Sequence, residues 1–313
     1  METFYSNGKL LLTSEYVVLD GCKALAVPTK FGQNLSIQKI NEDELIWESY
    51  THQDELWLQV IFDLPKLRII SATFNSSKDG GGDLLAEKLQ EILLTAKLQS
   101  QFNGKNFLIK KQGFYVKSKL DFPRIWGLGT SSTLINNIAQ WAGINAFKLQ
   151  FSSFGGSGYD IACAQNNTPI IYQLLEKKPI VEIINFNPHF KNQLYFVHLN
   201  KKQNSREGIA SYRNFKGQIS TLKDEVSNLT NHIIKCNSLT DFEKLIKEHE
   251  RLISKVIDQK PVQEQLFSDY FGQTKSLGAW GGDFILATGN NNTPKYFKQK
   301  GFETVISYEE IIL

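Results

Sequence analysis

The sequence predicts an α+β protein of two lobes. Two observations carry this expectation. Short runs rich in β-branched and aromatic residues crowd the first part of the chain, and amphipathic helical stripes crowd the last. No internal repeat, low-complexity tract or long Pro/Ser linker interrupts the passage from one to the other. A boundary is expected between residues 175 and 190 and is drawn as lobes 1–180 and 181–313.

The elements follow in order. Tyr16–Leu19, Leu56–Val60 and Leu67–Ile70 read as strands. Asp83 is placed to cap a helix whose apolar stripe is Leu85, Leu89, Ile92, Leu93 and Ala96. Asn106–Lys111 and Gly113–Ser118 read as two more strands. Leu134, Ile135, Ile138, Ala139 and Ala142 recur at helical spacing, and Gly143 suits the residue just past the helix end. Strands resume at "PIIYQL", "VEIINF" and "LYFVHL". Ile219, Leu222, Val226, Leu229 and Ile233 then mark one helix. "TDFE" at Thr240–Glu243 reads as a capping box opening another, with Phe242, Ile246, His249, Ile253 and Val256 inward. "GAWGGDFILATG" is a Gly-rich turn followed by a strand, and Thr293 and Pro294 start a last short helix.

Composition narrows the function. With 313 residues, 41% hydrophobic and 21% charged, the chain can bury a large core. Its net charge of +3 comes without a basic block, so no nucleic-acid partner is expected, and an anionic small molecule is compatible. Cys22, Cys163 and Cys236 are scattered, and no CxxC or HExxH spacing exists, so neither a disulfide scaffold nor a zinc site is expected. "METFYSNGKL" lacks a signal peptide's apolar core, and no run reaches the roughly 18 apolar residues of a membrane helix. A cytoplasmic chain without a membrane partner is the expectation, as a monomer or homodimer.

Four stretches carry residue types suited to chemistry. "GLGTSS", Gly127–Ser132, stands directly before a helix. Glycines let backbone N–H groups converge, and a helix N-terminus adds unpaired donors and partial positive charge. Thr130, Ser131 and Ser132 offer hydroxyls to phosphate oxygens or to Mg²⁺. An ordinary turn with a Ser/Thr cap fits the same residues. The Gly-Lys-Ser/Thr of a Walker loop is absent, and so is the third glycine of a dinucleotide fingerprint. In "FGGSGYDIACA", Asp160 follows a small-residue turn, where it is either an exposed turn residue or a base for an attacking hydroxyl. In "SNGKLLLTSEY", Lys9 at a strand edge is either solvated or placed to neutralise phosphate. "KSLGAWGGDFILATG" is either a second close-approach loop or a tight start to a strand.

In this order the stretches resemble the motifs of the GHMP kinase superfamily, which is named for galactokinase, homoserine, mevalonate and phosphomevalonate kinases. "SNGKLLLTSEY" is similar to its Pro-x-Gly-Lys-x-x-Leu-x-Gly-Glu-His/Tyr motif. "PRIWGLGTSS" from Pro123 is similar to Pro-x-x-x-Gly-Leu-Gly-Ser/Thr-Ser, and "GAWGGD" from Gly278 to Gly-Ala-Gly-Gly-Gly. "GSGYD" and "GGD" are similar to stretches of the mevalonate and phosphomevalonate kinase branch, and "NKKQNSREG" more loosely to a basic substrate-side loop.

The resemblance implies a ribosomal-protein-S5-like N-terminal lobe and a ferredoxin-like C-terminal lobe. It implies ATP phosphates on Gly127, Leu128, Gly129, Thr130, Ser131 and Ser132, with Ser131 near Mg²⁺. It implies Asp160 acting on the acceptor hydroxyl with Lys9 close by. Glu15, Gly156, Ser157, Gly278, Ala279 and Arg206 would serve the substrate side, with Arg124 and Lys202 as further candidate anion binders. The implied activity is transfer of the γ-phosphoryl group of ATP to a small acceptor, mevalonate or phosphomevalonate foremost. A diphosphomevalonate decarboxylase and a non-catalytic ligand sensor are the alternatives. The chain departs from the pattern in four places. Ser6 replaces a proline or small apolar residue, with little consequence expected, and Ser14 replaces a glycine. Trp280 replaces a loop glycine, so the loop is expected not to close on a ligand in the usual way. Leu149 and Gln150 occupy the region of a metal-binding Glu, which leaves Mg²⁺ to Ser131 and the nucleotide.

Overall fold

Residues alternate between core and surface along the early strands, and this period of two gives a sheet with one packed face. The protein is described by a computed structural model over residues 1–75, 82–201 and 205–313, without the side chains of 205–207. It divides into two units that interleave along the chain. One unit holds Met1–Gly8, Phe31–Arg124 and Gly129–Gln165; the other holds Lys9–Lys30, Ile125–Leu128 and Asn166–Leu313.

In the first unit, strands β1 (Glu2–Leu11), β2 (Ala24–Ile40), β3 (Glu44–Tyr50), β4 (Leu56–Asp63) and β5 (Ile69–Phe74) precede helix α1 (Gly82–Phe102). Strand β6 (Gly113–Leu120) and helices α2 (Thr130–Ala142), α3 (Ala146–Ser153) and α4 (Tyr159–Gln165) follow. The strand order is β5-β4-β3-β6-β2, with β1 also paired to β2. Gln33–Ile40 of β2 run antiparallel to β6, whereas β3 runs parallel to it. Trp47, Val60, Phe62 and Val116 pack against Leu89, Leu93 and Ala96 of α1 and Ile135, Ile138 and Ala139 of α2 in one cluster. At roughly 25 cal/mol per Å² of apolar surface removed from water, such burial is the main drive for the unit.

The second unit continues with β7 (Ile170–Leu175), β8 (Lys178–Ile183) and β9 (Leu194–His198). Helices α5 (Ser205–Arg213), α6 (Ile219–Lys235), α7 (Leu239–Ile257) and α8 (Val262–Leu266) come next. Strands β10 (Thr274–Ser276) and β11 (Phe284–Thr288), helix α9 (Thr293–Gln299), strand β12 (Val305–Ser307) and helix α10 (Tyr308–Ile311) complete it. An antiparallel sheet of order β10-β11-β9-β12 has β9 and β11 buried along their whole length. The first residues of β2 pair with β7, which pairs with β8.

Several expectations change for local reasons. Val17–Asp20 form a 3₁₀ turn instead of a strand, because Ser14 and Tyr16 adopt positive φ and Val18 N–H donates to Ser14 O. Asn106–Lys111 is no strand either. Leu108 has φ 51°, and Phe107 and Leu108 fill the core individually. Leu67 closes a turn onto Asp63, so the strand expected at Leu67 begins at Ile69. Leu85 points outward and Ala86 takes the core position on α1. The capping residue of α7 is Ser238, whose Oγ accepts from Asp241 N–H, and not Thr240. The cap position before α9 is Asn292, one residue ahead of Thr293.

Ser6 matters more than the sequence suggests. Its Oγ donates to Asn137 Oδ1 at 2.7 Å and accepts from Asn136 Nδ2 at 2.8 Å. Asn137 Nδ2 donates to Gln33 O at 2.9 Å, and Gln165 Nε2 of α4 donates to Asn136 Oδ1 at 2.9 Å. This buried network ties α2 to β1, β2 and α4, and each member left alone would carry a desolvation penalty. Asn137→Ala is therefore expected to lower stability by about 1–3 kcal/mol, read as a shift in the urea midpoint at unchanged slope.

Candidate active site

The start of α2 lacks a side-chain cap. Gly129 occupies the cap position in the left-handed region, φ 94° and ψ 38°, and no side chain caps the opening amides. The Ser/Thr cap that the sequence allowed is not what forms. Ser132 Oγ and Thr133 Oγ1 instead donate back to Gly129 O, at 2.8 and 3.1 Å, and Thr133 Oγ1 also reaches Gln33 Oε1 at 2.6 Å. Two hydroxyls thus hold the turn, Ser132 is buried, Ser131 is exposed and Thr130 is half-buried. Uncapped N–H groups at the positive end of a helix form an anion cradle.

In the same unit Asp160 stands in the first turn of α4, half-buried, after glycines 155, 156 and 158 at positive φ. Gly156 is exposed and Ser157 buried. Gln150, in the region where the resemblance places an acid, supports this turn: its Nε2 donates to Gly155 O at 3.0 Å. Its Oε1 is buried without a hydrogen-bond partner.

The other unit holds the residues just before Gly129. Lys9 N–H donates to Leu128 O at 3.0 Å, and Lys9 Nζ donates to Gly127 O at 2.9 Å. Leu128 itself is buried. Asn200 N–H donates to His198 Nδ1, so the proton sits on Nε2 and is given to Ile125 O at 3.1 Å. Trp126 meets Phe284 edge to face, ring centres 5.5 Å apart. Asp283 lies directly against Gly127: a Cβ there would come within 2.4 Å of the Asp283 carboxyl carbon. With φ 67° as well, position 127 requires glycine twice over. His198 and Asp283 were missed as candidates; Asp283 was visible only as the last letter of "GAWGGD".

The Gly278–Asp283 turn has positive φ at Gly278, Trp280, Gly281 and Asp283. Trp280 does not enter a ligand space. It is 1% exposed and packs with Tyr16, Tyr212, Leu252 and Ile253. Ala279 is buried beside it and Gly278 half-buried.

Glu15 is placed differently from the substrate contact expected of it. It is wholly buried, bonded to the equally buried Lys275, and 3.6 Å from His249 Nε2. Lys275 Nζ also donates to Ser276 O at 2.9 Å, and Ser276 Oγ to Glu250 Oε2 at 3.1 Å. His249 Nε2 accepts from Ser14 N–H at 2.8 Å, and burial holds the ring well below its ordinary value, hence neutral. Burial pushes Glu15 up and Lys275 pulls it back. Burial pushes Glu250 up to about 8, so it keeps a proton at neutral pH. The cluster is a support under the first motif, closed to solvent.

Arg124 lays its guanidinium 3.7 Å from the Trp57 ring centre. Lys202 and the Arg206 side chain lie outside the described residues. Among the described residues no group of three or more His, Cys, Asp or Glu side chains is placed to hold a metal. An exposed Ser131 hydroxyl beside uncapped helix amides would suit Mg²⁺ carried in on phosphate oxygens, since that ion keeps few protein ligands.

Two outcomes are expected. Trp280→Ala should cost about 3–5 kcal/mol, measured by urea unfolding, since alanine loses the packing but keeps the Cβ and its left-handed strain. Glu250→Gln should gain on the parent as pH rises. The folded chain holds a proton that the unfolded chain releases above its ordinary value of 4.5. Stability from this group is therefore full below that value and is lost as pH climbs towards 8. Lys275 and Glu15 stay in both proteins, so the difference isolates Glu250. It should grow to about 2–4 kcal/mol, and a pH-independent difference would sink the assignment.

No family model matches the chain, and no curated protein matches it. Solved structures do. The mevalonate kinase of Methanococcus jannaschii superposes with a TM-score of 0.69 at 17% identity, over 97% of this chain and 96% of that one. The Streptococcus pneumoniae phosphomevalonate kinase, in complex with phosphomevalonate and AMPPNP, gives 0.64 at 16% identity, over 98% and 100%. The Lactococcus lactis galactokinase complexed with galactose gives 0.66 at 13%, over 98% and 92%. These three are kinases of the GHMP type, and the fold of the chain is the α+β fold that they share.

Proposed function

We propose that this protein is an ATP-dependent small-molecule kinase. The observation that carries the reading is the uncapped start of α2, with Gly129 left-handed and Ser131 exposed. A full-length likeness to kinases of one fold supports it. In this reading Gly127–Ser132 receive the phosphates of ATP. Lys9 holds the loop through the Gly127 carbonyl and adds positive charge beside it. Ser131 would hold Mg²⁺ together with the nucleotide, and the ion would neutralise charge on the transferring group. Asp160 takes the proton of the acceptor hydroxyl as the new O–P bond forms and the bond to the β-phosphate oxygen breaks, leaving ADP. An acceptor phosphate would need no such base.

Mevalonate or phosphomevalonate is the acceptor we favour, with the turns at Gly156–Ser157 and Gly278–Ala279 on its side. The phosphate loop and Asp160 would belong to an N-terminal lobe spanning 1–180, and the glycine turn to a lobe spanning 181–313. No helix among the described residues is long and apolar enough to cross a membrane, and we place the enzyme in the cytoplasm, as a monomer or homodimer.

ADP release with Mg-ATP tests this against mevalonate, phosphomevalonate, diphosphomevalonate, homoserine and galactose. One acceptor should turn over, and Asp160→Asn should lose about 10²–10⁴-fold in kcat while still binding ATP. Carbon dioxide release with diphosphomevalonate would favour decarboxylation instead. ATP binding with no turnover of any acceptor would favour a sensor, the reading that Gln150 in place of an acid supports.

A further inference from the structure

Helix α7 shows two faces. Phe242, Ile246, Ile253 and Val256 go inward. Lys244, Lys247, Arg251 and Lys255 recur at the spacing that shares the opposite face. This basic stripe is one wall of a cavity of about 660 Å³, and Lys260, Gln263 and Gln273 contribute to the other. A cavity of that size is in the range of small-molecule sites.

Its charges are unevenly matched. Arg251 is paired with Glu248, and Lys244 with Asp241 at 3.0 Å. Lys247, Lys255 and Lys260 make no ion pair among the described residues, and Glu264 is the one further acidic residue in the lining besides Glu248 and Glu250. At the buried edge stands Glu250, 2% exposed. Its Oε2 accepts from Ser276, while its Oε1 is buried with no hydrogen-bond partner. Because burial keeps that carboxyl protonated at neutral pH, it brings no repelling charge to the cavity. Cations along the rim without acid partners are what a phosphate-bearing ligand would satisfy.

The lining also limits the rest of the ligand. No aromatic side chain lines the cavity, so a base finds no ring to stack on there. We propose that the cavity between α7 and α8 is a second anion site, sharing no residue with Gly127–Ser132, that binds a small phosphorylated metabolite. The inference does not depend on the kinase reading. Glu250 also links the cavity, through Ser276 and Lys275, to Glu15 of the first motif.

The test is a titration of ¹⁵N-labelled full-length protein with inorganic pyrophosphate at constant ionic strength, read as amide shifts. The expected result is saturable shifts along residues 244–264. They should weaken by about tenfold in Lys247→Glu/Lys255→Glu, less in the milder Lys247→Gln/Lys255→Gln, and be unchanged in Ser131→Ala. Both lysines are exposed, so these variants fold. Saturable shifts confined to 127–132 would overturn the proposal. So would shifts at 244–264 that never saturate or that sodium chloride reproduces, which would mark an adventitious ion only.

Discussion

The hydrogen bonds that fix the first turn of α2 are the constraint on which the candidate site depends. Gly129 O accepts from Ser132 and Thr133, Thr133 is held by Gln33, and the next turn is held through Asn136 and Asn137 to Ser6. Every one of these side chains is buried. A buried polar side chain without a partner costs about 1–3 kcal/mol, so the network has few alternatives and the turn has one geometry. Its consequence is chemical. By turning Ser132 and Thr133 inward, it leaves the amides at the helix start without a cap, with Ser131 alone outward. The stretch just before it is restrained separately, where Lys9 and His198 donate to the carbonyls of Gly127 and Ile125. The carbonyls of this stretch are thereby occupied, which leaves the amides at the helix start as its open polar groups.

The buried cluster at Glu15 obeys different energetics. Two carboxyls, one ammonium and one imidazole share a space without solvent. Ionising every acid would leave an unbalanced charge in low dielectric, which costs far more than the pairing returns. The cluster avoids this with one ion pair, Lys275 with Glu15, a neutral His249 and a protonated Glu250. Such a pair is weak support for stability, since its desolvation offsets its attraction. Its strength is directional: Lys275 opens the turn that leads to Gly278, and Glu15 closes the first motif, so pairing them registers two segments far apart in the chain.

Much of this was legible in the sequence, and the limits are physical. Long apolar stripes placed α1, α2, α6 and α7 correctly, because a helical period summed over many residues is hard to imitate. The strand reading failed at Val17–Asp20 and near Leu108, where single residues at positive φ break runs whose composition suits a strand. Nothing in a side chain's hydrophobicity reports that. The left-handed glycines at 127 and 129 were readable as a turn before a helix because their order is distinctive. Glu15 was readable as a motif residue but not as a buried one, since its partner Lys275 is distant in sequence and sits among residues that look like a surface turn. Ser6 looked interchangeable for the same reason: its partners come from α2.

Trp280 shows how packing overrides local preference in the glycine turn. A non-glycine residue in the left-handed region costs about 1–2 kcal/mol. Truncating a buried tryptophan costs about 3–5 kcal/mol, so burial wins by a margin that holds Trp280 at φ 48°. Glycine at this place would keep the turn available to many conformations. Tryptophan, anchored among Tyr16, Tyr212 and Ile253, reduces them to one. Asp283 then follows at a fixed position with its carboxylate against Gly127. The substitution that looked in the sequence like an obstacle to a ligand is thus a tether. A turn that glycine would leave free is thereby fixed, and with it a carboxyl group held against Gly127.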